Sequence, residues 1–153
     1  MADSVSTKWY SGQNPVPGTA SVGYPYVDFT WNDGDTDSHA ALISPTFAYP
    51  GTHFTLAINT GADAVGGSAD MVCTLLGSND KDLAVANWGA AKAATTITSA
   101  NLTGLTAFIE FNTGGETGEG YFKFYKLKLD PSADVGEDCV IRVGINAPAK
   151  NKG

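Results

Sequence analysis

Two strand-like runs decide the fold of this chain: GYFKFYKLKLD at residues 120–130 and CVIRVGIN at residues 139–146. In the second run every odd-numbered residue from Cys139 to Ile145 is apolar, and Arg142 lies on the opposite parity. This period of two is typical of a half-buried strand. We therefore predict that the two runs form a β-hairpin at the centre of a β-sandwich.

The first run is less regular than the second. Phe122 and Phe124 are apolar on one parity, whereas Tyr125, Leu127 and Leu129 are apolar on the other. Two explanations fit this pattern. Either a β-bulge redirects the strand near Tyr125, or one apolar patch stays on the outside to meet a partner.

Composition favours one all-β domain. The chain has 153 residues, which is enough for a single domain with a sizeable core. Its 18 glycines indicate many turns, and its charged fraction of 16% lies well below the usual ~25%. We expect outer faces that are partly covered.

Charge and hydropathy exclude two classes of partner. The net charge of −7 argues against binding to nucleic acid, which requires a basic surface. No apolar run approaches the ~20 residues of a membrane helix. The start, MADSVST, lacks the basic and apolar segments of a secretory signal, so we expect synthesis in the cytoplasm and no membrane partner.

Cysteine and histidine spacings do not indicate a metal centre. Cys73 and Cys139 each lie in an apolar strand pattern, which predicts two buried thiols or, as the alternative, a disulfide. His39 and His53 are isolated, whereas a zinc site needs more ligands at closer spacing. We predict no cofactor and no metal site.

One acidic loop leaves calcium binding as an open alternative. Asp33, Asp35 and Asp37 have the every-second-residue spacing of calcium loops. Ser38 and Ser44 occupy the positions where an EF-hand loop needs Gly and Glu, so a solvated turn is the simpler interpretation.

The N-terminal segment has a different composition from the rest. Residues 1–23 contain two prolines and three glycines and show no periodicity, and their apolar anchor is the Trp9-Tyr10 pair. This extended arm either folds back onto its own sandwich or reaches a neighbouring subunit. We assign residues 1–23 to the arm, 24–147 to the sandwich and 148–153 to a short tail.

Strand-like patterns recur every 8–15 residues, with hardly any helix. This spacing predicts an all-β fold, an antiparallel β-sandwich of jelly-roll type with about eight strands and an extended N-terminal arm. Residues 81–94 are expected to form a loop with a turn or two of helix, because they are rich in alanine. The predicted strands cover residues 24–31, 40–49, 53–59, 69–76, 95–99, 106–112, 120–130 and 139–146.

Two segments together resemble a known pattern. LLGSND at residues 75–80, with Trp88 downstream, is followed by YFKFYKLKL at residues 121–129. This arrangement is similar to one found in bacteriophage structural proteins and in discoidin-like or galactose-binding-like sandwiches. In the usual form Gly follows the Asp directly, whereas this chain has Lys81, and this departure weakens the case for carrying over a sugar site.

The resemblance implies a small virion protein. On this basis we expect a capsid decoration (cement) protein on the capsid surface, which binds the major capsid protein and itself, possibly as a trimer. The alternatives are a tail, fibre or other minor virion protein, and a carbohydrate-binding module that uses Trp31, Trp88 and loop aromatics as stacking platforms.

We do not expect an enzyme. The sequence has no Gly-x-Ser-x-Gly elbow, no His-x-His pair and no Ser-His-Asp order. The predicted protein-interface residues are aromatic: Trp9, Tyr10, Phe108 and Phe122.

Overall fold

A computed structural model describes eight segments of the chain, and together they contain ten β-strands and one short 3-10 helix. The described residues are 3–10, 26–31, 39–48, 53–59, 70–97, 106–112, 122–131 and 139–146. The strands are β1 (Ser4–Val5), β2 (Tyr26–Trp31), β3 (Leu42–Ile43), β4 (Phe47–Ala48), β5 (His53–Asn59), β6 (Met71–Ser78), β7 (Gly89–Ile97), β8 (Thr106–Asn112), β9 (Phe124–Pro131) and β10 (Cys139–Asn146), and the 3-10 helix spans Val85–Asn87.

The strands form two antiparallel sheets. Sheet A has the order β1-β2-β10-β5-β8, and sheet B has the order β3-β9-β6-β7, with β4 also paired to β9. If β3 and β4 are counted as one interrupted strand, the facing orders β2-β10-β5-β8 and β3/β4-β9-β6-β7 are those of a jelly roll built from two Greek keys. The predicted jelly-roll sandwich is confirmed, and β1 extends sheet A by one short strand.

The core lies between the central strands of the two sheets. Strands β6 and β9 bury alternate residues, whereas β10 is buried on both parities from Ile141 to Ile145. Burial of a large apolar side chain stabilises the fold by about 1.5–3 kcal/mol, so the buried core residues contribute most of the stability. The largest fully buried side chains are Trp31, Tyr125, Phe29, Leu56, Met71, Leu75, Leu127, Leu129 and Ile141.

The predicted hairpin between the two C-terminal runs is wrong. Strand β9 pairs with β6 in sheet B, whereas β10 lies between β2 and β5 in sheet A. In one sheet, the buried rows of β9 and β10 would share a face and still need a partner layer. In separate sheets the two rows belong to a common core.

The irregular parity of the first run is explained by where β9 begins. The register of β9 on β6 runs without a bulge from Phe124 to Pro131. Phe122 precedes the strand and packs against the core beside Tyr125, with ring centroids 6.4 Å apart. Its ring occupies the space that a side chain at Gly77 would need.

The edge strand predicted around Pro45 is confirmed, and its interruption is compensated by one hydroxyl group. The backbone N–H of Ser44 donates to the Leu127 carbonyl, and the Ser44 hydroxyl accepts the Leu127 N–H at 2.9 Å. The same hydroxyl donates to the Pro45 carbonyl. The ladder is therefore satisfied at a position where proline has no N–H to offer.

The predicted loop and helix over residues 81–94 are only partly right. The 3-10 helix is confined to Val85–Asn87, and the alanines that follow lie in β7, paired with β6. Ala91 is 2% exposed and belongs to the core. Burial of a small side chain against β6 outweighs the helix propensity of alanine.

We predict that Gly77→Ala destabilises the protein by about 1–3 kcal/mol, because its Cβ would overlap the Phe122 ring. Gly89→Ala is the matched control, since its Cβ would lie 3.8 Å from the Phe122 ring in ordinary contact. Urea unfolding measures both variants. Equal stability of the two would contradict the packing of Phe122 over Gly77.

We also predict that the Cys73 thiol resists labelling in the native protein. Burial raises its pKa from 9.0 to about 12, and the thiolate is the reactive form. Because the folded pKa is the higher one, this group loses stabilisation as pH rises from about 9 to 12. A Cys139→Ser variant isolates the thiol, and labelling at pH 8 as fast as in urea would refute its burial.

Candidate functional site

Residues 3–10 form a strap along one side of the sandwich. Ser4 and Val5 pair with Thr30 and Phe29 of β2. The Ser6 N–H donates to the Asp28 carbonyl at 2.9 Å, and the Ser6 hydroxyl accepts the Asp28 N–H. Of the two alternatives for the arm, these residues follow the one in which it folds back; residues 11–23 lie outside the described residues.

The strap also contacts sheet B. Asp3 meets the buried His39 ring at 2.9 Å, and the Trp9 indole N–H donates to the Pro45 carbonyl at 2.8 Å. The Trp9 ring packs edge-on against Phe47, with centroids 5.1 Å apart. The strap therefore connects the β2 edge of sheet A to the β3/β4 edge of sheet B.

A stacked group of charged and aromatic side chains lies on the outer face of sheet A. Its base is the pair formed by Arg142 of β10 and Asp28 of β2, which are direct cross-strand partners. The guanidinium donates from Nε and Nη2 to the two carboxylate oxygens, at 2.7 and 2.9 Å. The Arg142 side chain is only 3% exposed, so this bidentate pair is largely shielded from water.

Aromatic rings continue the stack outward. The Tyr26 ring lies over the Arg142 guanidinium, 4.0 Å from its carbon to the ring centroid. The Tyr10 ring follows, with centroids 5.4 Å apart, and the Lys8 ammonium lies 5.7 Å from the Tyr10 centroid. Cations and rings attract in this geometry. We call these five residues, Asp28 included, the aromatic–cation stack.

The stack holds an exposed ring in a fixed position. Tyr10 and Tyr26 exchange two backbone hydrogen bonds of 2.7 and 2.9 Å. Tyr26 is buried, whereas Tyr10 is 37% exposed. Leu83, at 39%, is the other large hydrophobic residue with such exposure among the described residues.

The structure separates the four predicted interface residues. Tyr10 is exposed, whereas Trp9 and Phe122 are partly buried against their own core. Phe108 lies in β8, where its Cα partner is Ala57 of β5. The role of the four residues at an interface stays a prediction.

The two tryptophans expected to serve as sugar-stacking platforms do not lie open on the surface. Trp31 has no exposed surface and belongs to the core. Trp88 is 7% exposed, with the Lys126 ammonium 5.2 Å from its ring centroid, and its indole N–H donates to the Leu83 carbonyl. That part of the prediction is wrong, because both rings are buried within the protein.

The turn that carries the resemblance is held by its own side chains. The Ser78 hydroxyl accepts the Asp80 N–H and donates to the Asp80 carbonyl, and the Asp80 carboxylate accepts the Asp82 N–H. The Asn79 side-chain oxygen accepts the N–H of Lys123, just before β9. The turn therefore has a structural role.

The described residues contain no cluster of three or more His, Cys, Asp or Glu side chains able to hold a metal ion. Cys73 is a free buried thiol, which excludes it from the alternative disulfide. Asp33, Asp35 and Asp37 lie outside the described residues. No helix in the described segments is long and apolar enough to span a membrane.

Sequence reasoning missed the base of the stack. Arg142 and Asp28 are single charges in the middle of apolar strands, which is an available signal. They are 114 positions apart, so only the strand order identifies them as partners.

Comparison with known proteins identifies no family. No family model matches the chain, and no curated protein matches it. One solved structure, described as "CBM4 structure and function", has a TM-score of 0.38 and 16% identity, over 82% of this chain and 72% of that one. Another, a "non-crystalline cellulose specific carbohydrate-binding module: CBM28", has a TM-score of 0.38 and 17% identity, over 80% of this chain and 61% of that one.

We predict that Asp28→Asn destabilises the protein by roughly 2–4 kcal/mol, because it removes a counter-charge from a buried guanidinium. The double variant Asp28→Asn/Arg142→Met removes both charges and should recover most of that loss. Denaturant unfolding at pH 7 measures each variant. If the double variant is less stable than Asp28→Asn alone, charge pairing is not the reason for the loss.

Proposed function

We propose that this protein is a non-catalytic component of a virus particle, a capsid decoration protein that binds the major capsid shell and stabilises it. The protein would be made in the host cytoplasm and act on the outer surface of the virion. The jelly-roll sandwich supports a structural role, since this architecture recurs in viral capsid and lectin domains. The resemblance of residues 75–80 and 121–129 to phage structural proteins supports it as well.

The observation that carries the proposal is the exposed Tyr10 ring. Two backbone hydrogen bonds and the Tyr26 ring hold it before any partner arrives. A ring that is already fixed loses little entropy on binding, and tyrosine is among the residues enriched at interface hot spots. Tyr10 is therefore suited to anchor the sandwich on another protein.

The strap gives that anchor a firm attachment. Tyr10 belongs to the strap, which is attached to both sheets. The strap pairs with β2 of sheet A and contacts the β3/β4 side of sheet B through Asp3 with His39 and Trp9 with Pro45. Force on the anchor is therefore distributed over the whole sandwich. Many such contacts, repeated by the symmetry of a shell, give firm attachment from modest single affinities.

The charge of the chain constrains the partner. With a net charge of −7, the protein would be attracted to a basic surface of the shell and repelled by an acidic one. Lys8, beside the Tyr10 ring, offers a positive charge at the contact itself. An acidic side chain on the shell at this point would pair with it.

Glycan binding is the second candidate. It is favoured by the exposed Tyr10 ring and by Asp28 at the base of the same stack, whose side chain is 23% exposed, because saccharides are held by ring stacking together with polar groups. Binding of the isolated protein to a glycan array, abolished by Tyr10→Ala, would favour this function. A blank array together with attachment to particles would dismiss it.

We predict that Tyr10→Ala weakens binding to purified capsid shells by at least about tenfold, the loss expected for an aromatic anchor. Leu83→Ala, which removes a side chain of nearly equal exposure in the connection between β6 and β7, is the matched control. Co-sedimentation with shells over a concentration series measures both variants. Equal affinities of Tyr10→Ala and wild type would refute the anchor, and failure of the wild type to bind would refute the function.

A further inference from the structure

The outer face of strand β9 carries two lysines at alternate positions. Tyr125, Leu127 and Leu129 of β9 are fully buried in the core, so the residues between them point away from it. Lys126 and Lys128 are half-buried on that outer face, where solvent reaches them. Strand β9 lies between β3/β4 and β6, so these lysines do not protect a sheet edge.

Neither lysine has a carboxylate as its cross-strand partner. The partners of Lys128 are Ile43 of β3 and Thr74 of β6, and the partner of Lys126 on β6 is Leu76. Within the segments that the structure describes, neither ammonium group forms an ion pair. Both groups are therefore available to a carboxylate that comes from elsewhere.

The central strand of sheet A shows the opposite arrangement. There Arg142 is paired with Asp28, its direct cross-strand partner, through two hydrogen bonds. On β9 the next charge along the outer row is Asp130, two residues beyond Lys128, and its own cross-strand partner is Val72. We call the two lysines at 126 and 128 the lysine row. Together with Asp130 this face of β9 is net positive, although the whole chain has a net charge of −7.

The surroundings of the lysine row are uncharged, which strengthens any ion pair formed there. The Lys126 ammonium lies 5.2 Å from the centroid of the buried Trp88 ring. Ile43, Thr74 and Leu76, the cross-strand neighbours, are half-buried. Apolar neighbours lower the effective dielectric constant, so a carboxylate bound here interacts more strongly than one at a fully hydrated site.

We propose that the lysine row binds a short acidic segment of another protein, in an extended conformation with a carboxylate at every second residue. The Cα atoms of Lys126 and Lys128 are about 6.8 Å apart, since a strand rises ~3.4 Å per residue. Side chains at alternate positions of an extended segment have the same spacing and point to the same side. Two carboxylates of such a segment can therefore meet both ammonium groups at once.

The charge of the chain favours a short segment over a long polyanion. A nucleic acid or a sulfated polysaccharide would bring many further charges close to a protein of net charge −7, which repels them. A short acidic segment places its charges on the lysine row alone. The contact lies on sheet B, whereas Tyr10 is bridged to Tyr26 of sheet A, so it requires no function for Tyr10.

Two blocked peptides of equal composition test the spacing. TETETETET has a glutamate at every second position, whereas TEETTEETT has the same number of glutamates, none of them two positions apart. We expect the alternating peptide to bind with a dissociation constant roughly threefold lower, the gain from one further ion pair. NMR titration of the isotope-labelled protein measures both constants and shows whether the amide signals of Lys126 and Lys128 shift.

Two charge-reversed variants of equal net charge test the location. Lys126→Glu/Lys128→Glu reverses the lysine row, whereas Lys81→Glu/Lys123→Glu reverses two exposed lysines outside it. We expect the first variant to weaken binding of the alternating peptide by at least about tenfold, and the second by much less. Circular dichroism checks the folding of each variant, and Lys126→Gln/Lys128→Gln replaces the first if charge reversal unfolds it.

Equal dissociation constants for the two peptides would overturn the inference, because the spacing would then be irrelevant. Equal losses in the two charge-reversed variants would overturn it as well, since the effect would then come from net charge alone. Absence of binding to either peptide, or preferential binding of the wild type to heparin over the alternating peptide, would also contradict it.

Discussion

The burial of two rows of side chains against each other, one from β9 and one from β10, is the constraint on which the rest of the structure depends. Tyr125, Leu127 and Leu129 on one sheet and Ile141 and Val143 on the other have no exposed surface. In one sheet the two rows would share a face and still need a partner layer. Their separation places β9 and β10 in the two facing sheets of the jelly roll, where the rows pack against each other.

Polar side chains satisfy the backbone groups and the charge that the apolar core cannot. The Ser44 hydroxyl repairs the ladder where Pro45 interrupts it, and the Arg142–Asp28 pair satisfies a charge on the most central strand of sheet A. Tyr26 covers that pair from outside. Tyr26 in turn holds Tyr10 through ring packing and two backbone hydrogen bonds. The position of Tyr10 on the surface therefore follows from the burial of the Arg142–Asp28 pair.

The period of two predicted β2 and β10, because apolar and polar residues alternate clearly in both sequences. It could not predict which strands pair, since the same alternation fits a hairpin and two facing sheets. The sequence also did not predict that residues 90–94 form a strand. Alanine has a high helix propensity, and pairing with β6 overrides it. The Arg142–Asp28 pair could not be predicted either, because it depends on the register between two strands that are distant in sequence.

We propose that a sandwich with a prearranged aromatic anchor acts by attachment to a larger assembly. A reconstruction of the capsid shell by cryo-electron microscopy, with the protein bound, tests this most directly. We expect density for the sandwich on the outer surface of the shell, with the β1–β2 edge and Tyr10 facing the major capsid protein. Shells without such density, or a bound sandwich whose Tyr10 faces solvent, would contradict it.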